Sequence, residues 1–310
     1  MEKYYFIINE AAGNGKAKQN WEMIKAELDR RNIPYDYFFS EYPRHPEKIA
    51  RDIAQSEKEK IAAIIAVGGD GTIHEVMNGL QGYSYIKIGF IPAGSGNDFA
   101  RGFLIPKDPN RALDFILIED STIGVDAGAY QLNENEKERL FINNLGVGFD
   151  AEVSLAANQS RMKKWFNKLG IGRFTYVVAL IKTAITYKPN DVMLTIDHEI
   201  KHIPKVWFIT ISNQTYYGGG MKISPAAKPN DGLLNITVVH QLSKIKLLFI
   251  FISVFFGKHT KFKEVKMLSG KNITINSHEP MKVHTDGEMA GESPVKIKVK
   301  PSYFQVFSKL

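Results

Sequence analysis

In the first part of the chain, short continuous apolar runs alternate with segments of helical period. Residues 4–8, 34–39, 61–67 and 86–91 read as strands, and the continuous apolar run 61–67 as one buried on both faces, the pattern expected of a parallel sheet. Between them, Trp21, Ile24 and Leu28 recur at helical spacing, residues 46–56 form a second helical segment, and Val76 and Leu80 mark a third that Thr72 can cap. A helix over 110–118 and a strand over 122–127 follow. This alternation predicts right-handed βαβ units.

Beyond about residue 128 the texture changes. Strand patterns dominate at 139–145, 192–197, 206–212, 233–240, 265–268, 273–275, 281–284, 295–300 and 304–307, with turn residues between them. Many short strands of this kind predict an antiparallel sandwich or barrel-like second domain. Two stretches break the pattern. Residues 160–188 are helix-like, with Arg161, Lys163, Lys164, Lys168 and Arg173 interleaved with Trp165, Phe166, Phe174 and Tyr176. Residues 245–256 (IKLLFIFISVFF) are almost wholly apolar, yet shorter than the roughly 20 residues a membrane span needs. Both stretches could touch a membrane: the preferred reading of the second run is a helix buried against the β domain, with an interfacial anchor as the alternative, and the basic aromatic stretch is the better surface candidate.

Length, composition and charge narrow the picture. A chain of 310 residues suits two domains or one large one. The absence of cysteine excludes disulfides and thiolate metal sites and fits a reducing compartment. The first residues lack a signal-peptide apolar core. A net charge of +7 favours anionic partners without choosing among nucleotides, acidic lipid surfaces and nucleic acid.

The candidate chemistry sits where strands end. After the strand at 61–67 comes Gly68-Gly69-Asp70-Gly71-Thr72, a turn whose glycines permit close backbone approach and whose following helix attracts anions. Asp70 is placed to hold Mg²⁺ rather than phosphate. After the strand at 86–91 comes a second turn, Gly94-Ser95-Gly96-Asn97-Asp98-Phe99-Ala100-Arg101. Two such turns at the carboxyl ends of parallel strands can face one crevice. Asp126 supplies a third acid, and the Asn9–Lys16 loop could cradle a phosphate, although it lacks the dinucleotide fingerprint. Ser95 lacks a nucleophile elbow. Lys228–Leu233 reads as a tight turn, and Asp286-Gly287-Glu288 as a hairpin turn with exposed acids. His45, His74 and His284 have no zinc-ligand spacing.

Taken together, these motifs resemble the diacylglycerol kinase catalytic family in its bacterial lipid kinase branch, related to sphingosine kinases and NAD kinases. The resemblance rests on Gly68–Thr72, Gly94–Arg101, Lys228–Leu233 and Asp286–Glu288, in an order that covers nearly the whole chain. It implies an α/β plus all-β fold. A Rossmann-like ATP-binding domain would span 1–128 with a returning strand at about 301–310, and a β-sandwich lipid-substrate domain would span 129–300. It implies ATP at Asn9, Ala11, Ala12, Gly13, Ser40, Gly69, Asp70, Gly71, Thr72, Glu75, Ser95 and Asn97, with Asp70, Asp98 and Asp126 around a catalytic Mg²⁺. It further implies a structural Mg²⁺ at Lys228, Asp231 and Leu233, Glu288 as general base beside Asp286, and Lys16 and Arg101 near phosphate or headgroup.

The implied activity is ATP- and Mg²⁺-dependent phosphorylation of a lipid hydroxyl, with diacylglycerol the default acceptor. The implied location is cytoplasmic, peripheral at the inner face of the membrane. No nucleic acid partner is expected, and a homodimer is allowed. An NAD kinase-like enzyme and a non-catalytic nucleotide-sensing regulator are the rival readings. Two positions depart from the family pattern: Glu10 stands where proline is usual, and His74 where asparagine is common.

Overall fold

The computed structural model describes residues 2–57, 60–119, 121–159 and 173–310. The chain divides into two compact units, one of Met1–Ala127 with Pro301–Leu310 and one of Gly128–Lys300.

In the first unit the apolar runs become parallel strands. These are β1 (Lys3–Ile8), β2 (Tyr35–Phe39), β3 (Ile61–Gly68) and β4 (Lys87–Pro92), alternating with helices α1 (Lys16–Arg30), α2 (His45–Ser56) and α3 (Asp70–Gly79). The order across the sheet is β2-β1-β3-β4, and Gln305 of the final strand pairs in parallel with Lys87. Residues 63–67 of β3 are fully buried, as a strand covered on both faces must be. The trio Trp21, Ile24 and Leu28 is the buried stripe of α1. The sheet order reverses beside β1, so the loops after β1 and β3 diverge there, the position where open α/β sheets take ligands. A short helix, α4 (Asp98–Gly102), and α5 (Pro109–Asp114) lead into β5 (Thr122–Gln131). The helix expected over 110–118 is thus α-helical only to Asp114 and continues as a wider π turn over Phe115–Glu119.

The second unit is an antiparallel sandwich. Its strands are β6 (Arg139–Phe141), β7 (Asn144–Gly148), β8 (Asn190–Ile196), β9 (Glu199–Ser212), β10 (Tyr216–Tyr217), β11 (Met221–Lys222), β12 (Leu234–His240), β13 (Val265–Gly270), β14 (Asn272–Ser277), β15 (Lys282–Thr285), β16 (Glu288–Glu292) and β17 (Val295–Phe307), the last of which runs on into the first unit. The long strand β9 joins the layers. Its first half pairs with β8, and its second half lies between β7 and β12. The change falls at Lys205, which has φ 50° and donates its N–H to Asp191. Leu145, Ile209, Ile211 and Val238 from one layer meet Leu194, Ile273, Ile275 and Ile297 from the other in a shared core.

Among the described residues, three helices cover the far side of the β9/β12 layer: α6 (Phe149–Gln159), α7 (Arg173–Thr186) and α8 (Lys244–Val254). Trp207 anchors them, stacking on Tyr187, meeting Phe149 edge-on and donating its indole N–H to the Leu242 carbonyl. Of the basic aromatic stretch, α7 is helical as expected, while residues 160–172 lie outside the described residues.

Two strand expectations change. The run 139–145 is broken, because the N–H groups of Ile142, Asn143 and Asn144 turn to the Asp286 carboxylate instead of a neighbouring strand. The runs 295–300 and 304–307 are joined into one strand across Pro301, where Ser302 takes φ 45° and its N–H goes to Asp126.

His259 is fully buried, with Nε2 donating to the Ile223 carbonyl, and burial lowers its pKa from the ordinary 6.5. A folded pKa below the unfolded one means that the unfolded chain takes up the proton first. Stability is therefore full above the unfolded value and falls as pH drops below it toward the folded value. Thermal melts should show the midpoint holding above about pH 6.5 and declining under it, and a His259→Gln variant should show a flatter decline.

Candidate active site

The residues expected to hold a nucleotide converge at the carboxyl ends of β1, β3 and β4. Gly68 and Pro92 are register partners, so the two Gly-rich turns leave the sheet side by side. The N–H groups of Ala93 and Gly94 both donate to the Gly68 carbonyl, at 2.7 and 3.1 Å. A Cβ on Gly94 would stand 2.6 Å from the Gly69 Cα, so the turns pack backbone against backbone and only glycine fits. Asn97 closes its own turn, holding φ 51° while its side chain accepts the Gly94 N–H and donates to the Gly94 carbonyl.

Asp70 links the two turns. Its Oδ1 accepts the Phe99 N–H at 2.9 Å and so caps α4, across 29 positions of sequence. The helix after the first turn begins at Asp70 with Gly69 as its N-cap, so Thr72 is not the cap. Thr72 is instead buried and folds back over Gly68, and its Oγ1 accepts from Asn9 Nδ2 at 3.3 Å. That bond ties the β1 loop to the turn after β3. Gly13 has φ 60° and a Cβ there would strike the Ala93 carbonyl, which draws the same loop against the turn after β4. Ala12 donates its N–H to the Asn9 carbonyl, and Ser40, at the end of β2, donates its N–H to Ile8. Ala11 and Ser95 are exposed, Glu75 is half-buried, and Lys16 is an exposed first residue of α1.

The surroundings suit a polyphosphate. A Cβ added at Gly71 would meet nothing within 4 Å, so the space over the first turn of α3 is open to a ligand at a helix end that favours negative charge. Among the described residues no three His, Asp or Glu side chains converge as a direct metal site. A Mg²⁺ carried mainly by phosphate oxygens and water needs only one or two protein carboxylates, and Asp70 and Asp98 stand at the turns. Asp98 is buried and bonds Arg101 Nη1 at 2.5 Å, so Arg101 is committed to an acid of its own helix. Asp126 is set apart. Its described partner, the Ser302 N–H, precedes Gln305, which pairs with Lys87 at the amino end of β4. The glycine turns follow the carboxyl ends.

The departures from the family pattern are accommodated. Glu10 pairs with Lys18 at 3.1 Å on the surface. His74 is buried and contacts Asn78 one helical turn on, and Asn78 also donates to the His74 carbonyl.

In the second unit, Asp286 and Gly287 form a two-residue hairpin between β15 and β16, with φ 49° and 91°. Positive φ at both central residues is the signature of a type I′ turn, for which Asp-Gly is a preferred pair. The turn presents Glu288 exposed, in register opposite Thr285. Asp286 faces inward. Its Oδ2 accepts the Ile142 N–H and its Oδ1 accepts those of Asn143 and Asn144, each at 2.9 Å. The Lys228–Leu233 segment is the expected tight turn, with Gly232 at φ 72° and Asp231 Oδ1 accepting the Leu233 N–H.

Beside the hairpin lies a pair that no sequence spacing marks. His284 and Asp150 are both buried, with Nε2 3.4 Å from Oδ2, and Thr210 donates to the same carboxylate oxygen. The pair lies over Gly146, where any Cβ would strike both side chains. Ser154, on α6, donates to the Gly287 carbonyl and steadies the turn from the same side. Phe-Asp at the start of an unanticipated helix was the only local signal.

Two family models match the chain. The family described as "Diacylglycerol kinase catalytic domain" matches residues 3–130, and "YegS C-terminal NAD kinase beta sandwich-like domain" matches residues 143–308. A Bacillus subtilis (strain 168) protein named "Putative lipid kinase YtlR" is 33% identical over 99% of both chains. A diacylglycerol kinase of Mycobacterium tuberculosis (strain CDC 1551 / Oshkosh) is 33% identical over 79% of this chain and 76% of its own. A crystal structure described as a diacylglycerol kinase from Bacillus anthracis str. Sterne shares the fold, with a TM-score of 0.72 over 99% of this chain and 97% of its own at 20% identity. The chain belongs to the diacylglycerol kinase catalytic-domain family, in the bacterial branch that carries a YegS-type C-terminal β-sandwich.

Proposed function

We propose that this protein is an ATP- and Mg²⁺-dependent lipid kinase that phosphorylates the hydroxyl of a membrane lipid, with diacylglycerol, converted to phosphatidic acid, as the leading acceptor. The observation that carries the reading is the backbone-to-backbone packing of Gly69 on Gly94, with Asp70 capping the helix of the neighbouring turn. Phosphoryl transfer asks chiefly for positioning and charge neutralisation. Mg²⁺-ATP, when bound, supplies the phosphoryl group and screens its charge. The backbone N–H groups at the start of α3 and the turn around Ser95 would hold the phosphates, with Asn9, Gly13 and Thr72 fixing the loop that borders them. Asp70 and Asp98 would face the metal's water shell.

In the second unit Glu288 would take the proton of the attacking hydroxyl, and Asp286 would hold the turn that presents it. The Lys228 and Leu233 carbonyls with Asp231 would serve a structural cation, whose oxygen-only donor set suits Mg²⁺. The 1–128 unit with 301–310 would then be the donor domain and 129–300 the acceptor domain.

Incubating the purified protein with Mg²⁺, γ-labelled ATP and either diacylglycerol vesicles or NAD tests the reading. Label in the organic phase is expected; label in NADP, or none in any product, would reject it. A Gly94→Ala variant should bind ATP about tenfold to a hundredfold more weakly, because a 2.6 Å contact forces the two turns apart. Titration with a fluorescent ATP analogue checks this.

A further inference from the structure

The apolar run at 245–256 forms most of α8, and among the described residues one of its faces is used for packing. Leu247, Ile250 and Val254 are buried, the first two against the β9/β12 layer. The opposite face, where a surface helix carries polar residues, holds Ile245, Phe249 and Ile252, with Phe256 continuing the same line just past the helix end. These four are 72%, 63%, 59% and 70% exposed. Their spacing of four, three and four residues puts them in one stripe. The expectation that this run is simply a buried helix therefore accounts for half of it.

A second exposed apolar pair lies at the helix end to which α8 is tied. Lys244 Nζ donates to the Ile185 carbonyl, which brings the start of α8 to the end of α7, where Ile181 and Ile185 are also exposed. Contiguous exposed apolar side chains on this scale mark an interaction surface. The surrounding charge identifies the partner. From Lys244 to Lys266 the sequence has six lysines and a single acid, Glu264, which is buried and taken by Lys246 at 2.7 Å. Lys244, Lys258, Lys261, Lys263 and Lys266 are exposed. A short helix with an outward aromatic and aliphatic stripe flanked by uncompensated lysines fits the headgroup boundary of an anionic bilayer. No helix among the described residues is long and apolar enough to cross a membrane, so α8 would lie in the plane of the interface.

We infer that the outward face of α8, with the exposed end of α7, is the surface by which this protein docks on anionic lipid. The inference deepens the lipid kinase reading and rests on it for its purpose. The first phase of docking would be electrostatic, through the lysines, and would weaken as salt screens them. Insertion of Phe249, Ile252 and Phe256 would follow, and would hold the protein at the depth of its acceptor's hydroxyl.

The test uses the full chain in flotation with phosphatidylcholine vesicles, with and without phosphatidylglycerol. Wild type should bind the anionic vesicles preferentially, and Phe249→Asp/Ile252→Asp should lower that binding by at least about tenfold. Lys258→Glu/Lys261→Glu should remove the preference for anionic lipid. Both variants should keep wild-type turnover on a short-chain diacylglycerol dispersed as monomers. A milder Phe249→Ser/Phe256→Ser variant serves if the acidic one fails to fold. Unchanged vesicle binding in these variants would overturn the inference. So would light scattering that shows a wild-type dimer broken by the same substitutions while vesicle binding persists, since the stripe would then be an interface between copies. If vesicle binding responds as expected and no variant or wild type transfers label to any lipid, the docking surface stands and the kinase reading falls.

Discussion

Replacing Glu288 with glutamine should lower phosphoryl transfer by about 10²- to 10⁴-fold, the usual contribution of a positioned general base. Glutamine keeps the length and shape of the side chain and its place opposite Thr285 at the start of β16. It removes the ability to accept a proton. Glu288 is exposed at the end of a rigid two-residue turn, so the change strands no buried partner and the melting temperature should stay at the wild-type value. The turns around Gly69 and Gly94 belong to the other unit, and equilibrium binding of ATP should also be unchanged. Initial rates with γ-labelled ATP and diacylglycerol vesicles, measured beside a nucleotide titration, separate the two effects. Near-normal turnover would remove Glu288 from the proton-transfer role, and loss of ATP binding would move it to the donor side.

Much of this arrangement was legible in the chain because it is locally encoded. Buried parallel strands must be apolar on both faces, so 61–67 and 86–91 announce themselves, and the turns after them need glycine for close approach. What escaped depends on partners distant in sequence. The run 139–145 looks like one strand, and nothing near it says that its central N–H groups belong to Asp286, more than 140 positions later. Pro301 looks like a strand breaker until Asp126 takes the N–H of the next residue. Asp70 and Asp98 could be read as one acidic group with Asp126. The register of the final strand, which periodicity does not reveal, separates Asp126 from them. The burial of His284 against Asp150 is a tertiary event with no spacing signature. For 245–256 the difficulty is of another kind. A run that is apolar on every side contains no information about which side the protein covers, and only the packing of Leu247, Ile250 and Val254 decides it.

The contrast between two acids of one hairpin gives the second large effect. Asp286→Ala should destabilise the second unit by about 3 kcal/mol, because it deprives three backbone N–H groups of a charged acceptor and leaves them partly buried. For a unit of this size that is a fall of about 6–12 °C in melting temperature. Asp286→Asn should recover part of this, since one carbonyl oxygen remains while the amide NH₂ now confronts an N–H donor. Turnover should fall in both variants in step with the melting temperature, since the turn that presents Glu288 is loosened in proportion. Adding Mg²⁺ should not restore it. A catalytic carboxylate that touches metal or substrate would behave differently: Asp286→Asn would lose turnover with an unchanged melt, or recover it at high Mg²⁺. Melting curves and Mg²⁺-dependent rates on the two variants therefore decide whether the first acid of Asp-Gly-Glu acts on the reaction or on the turn that carries the second.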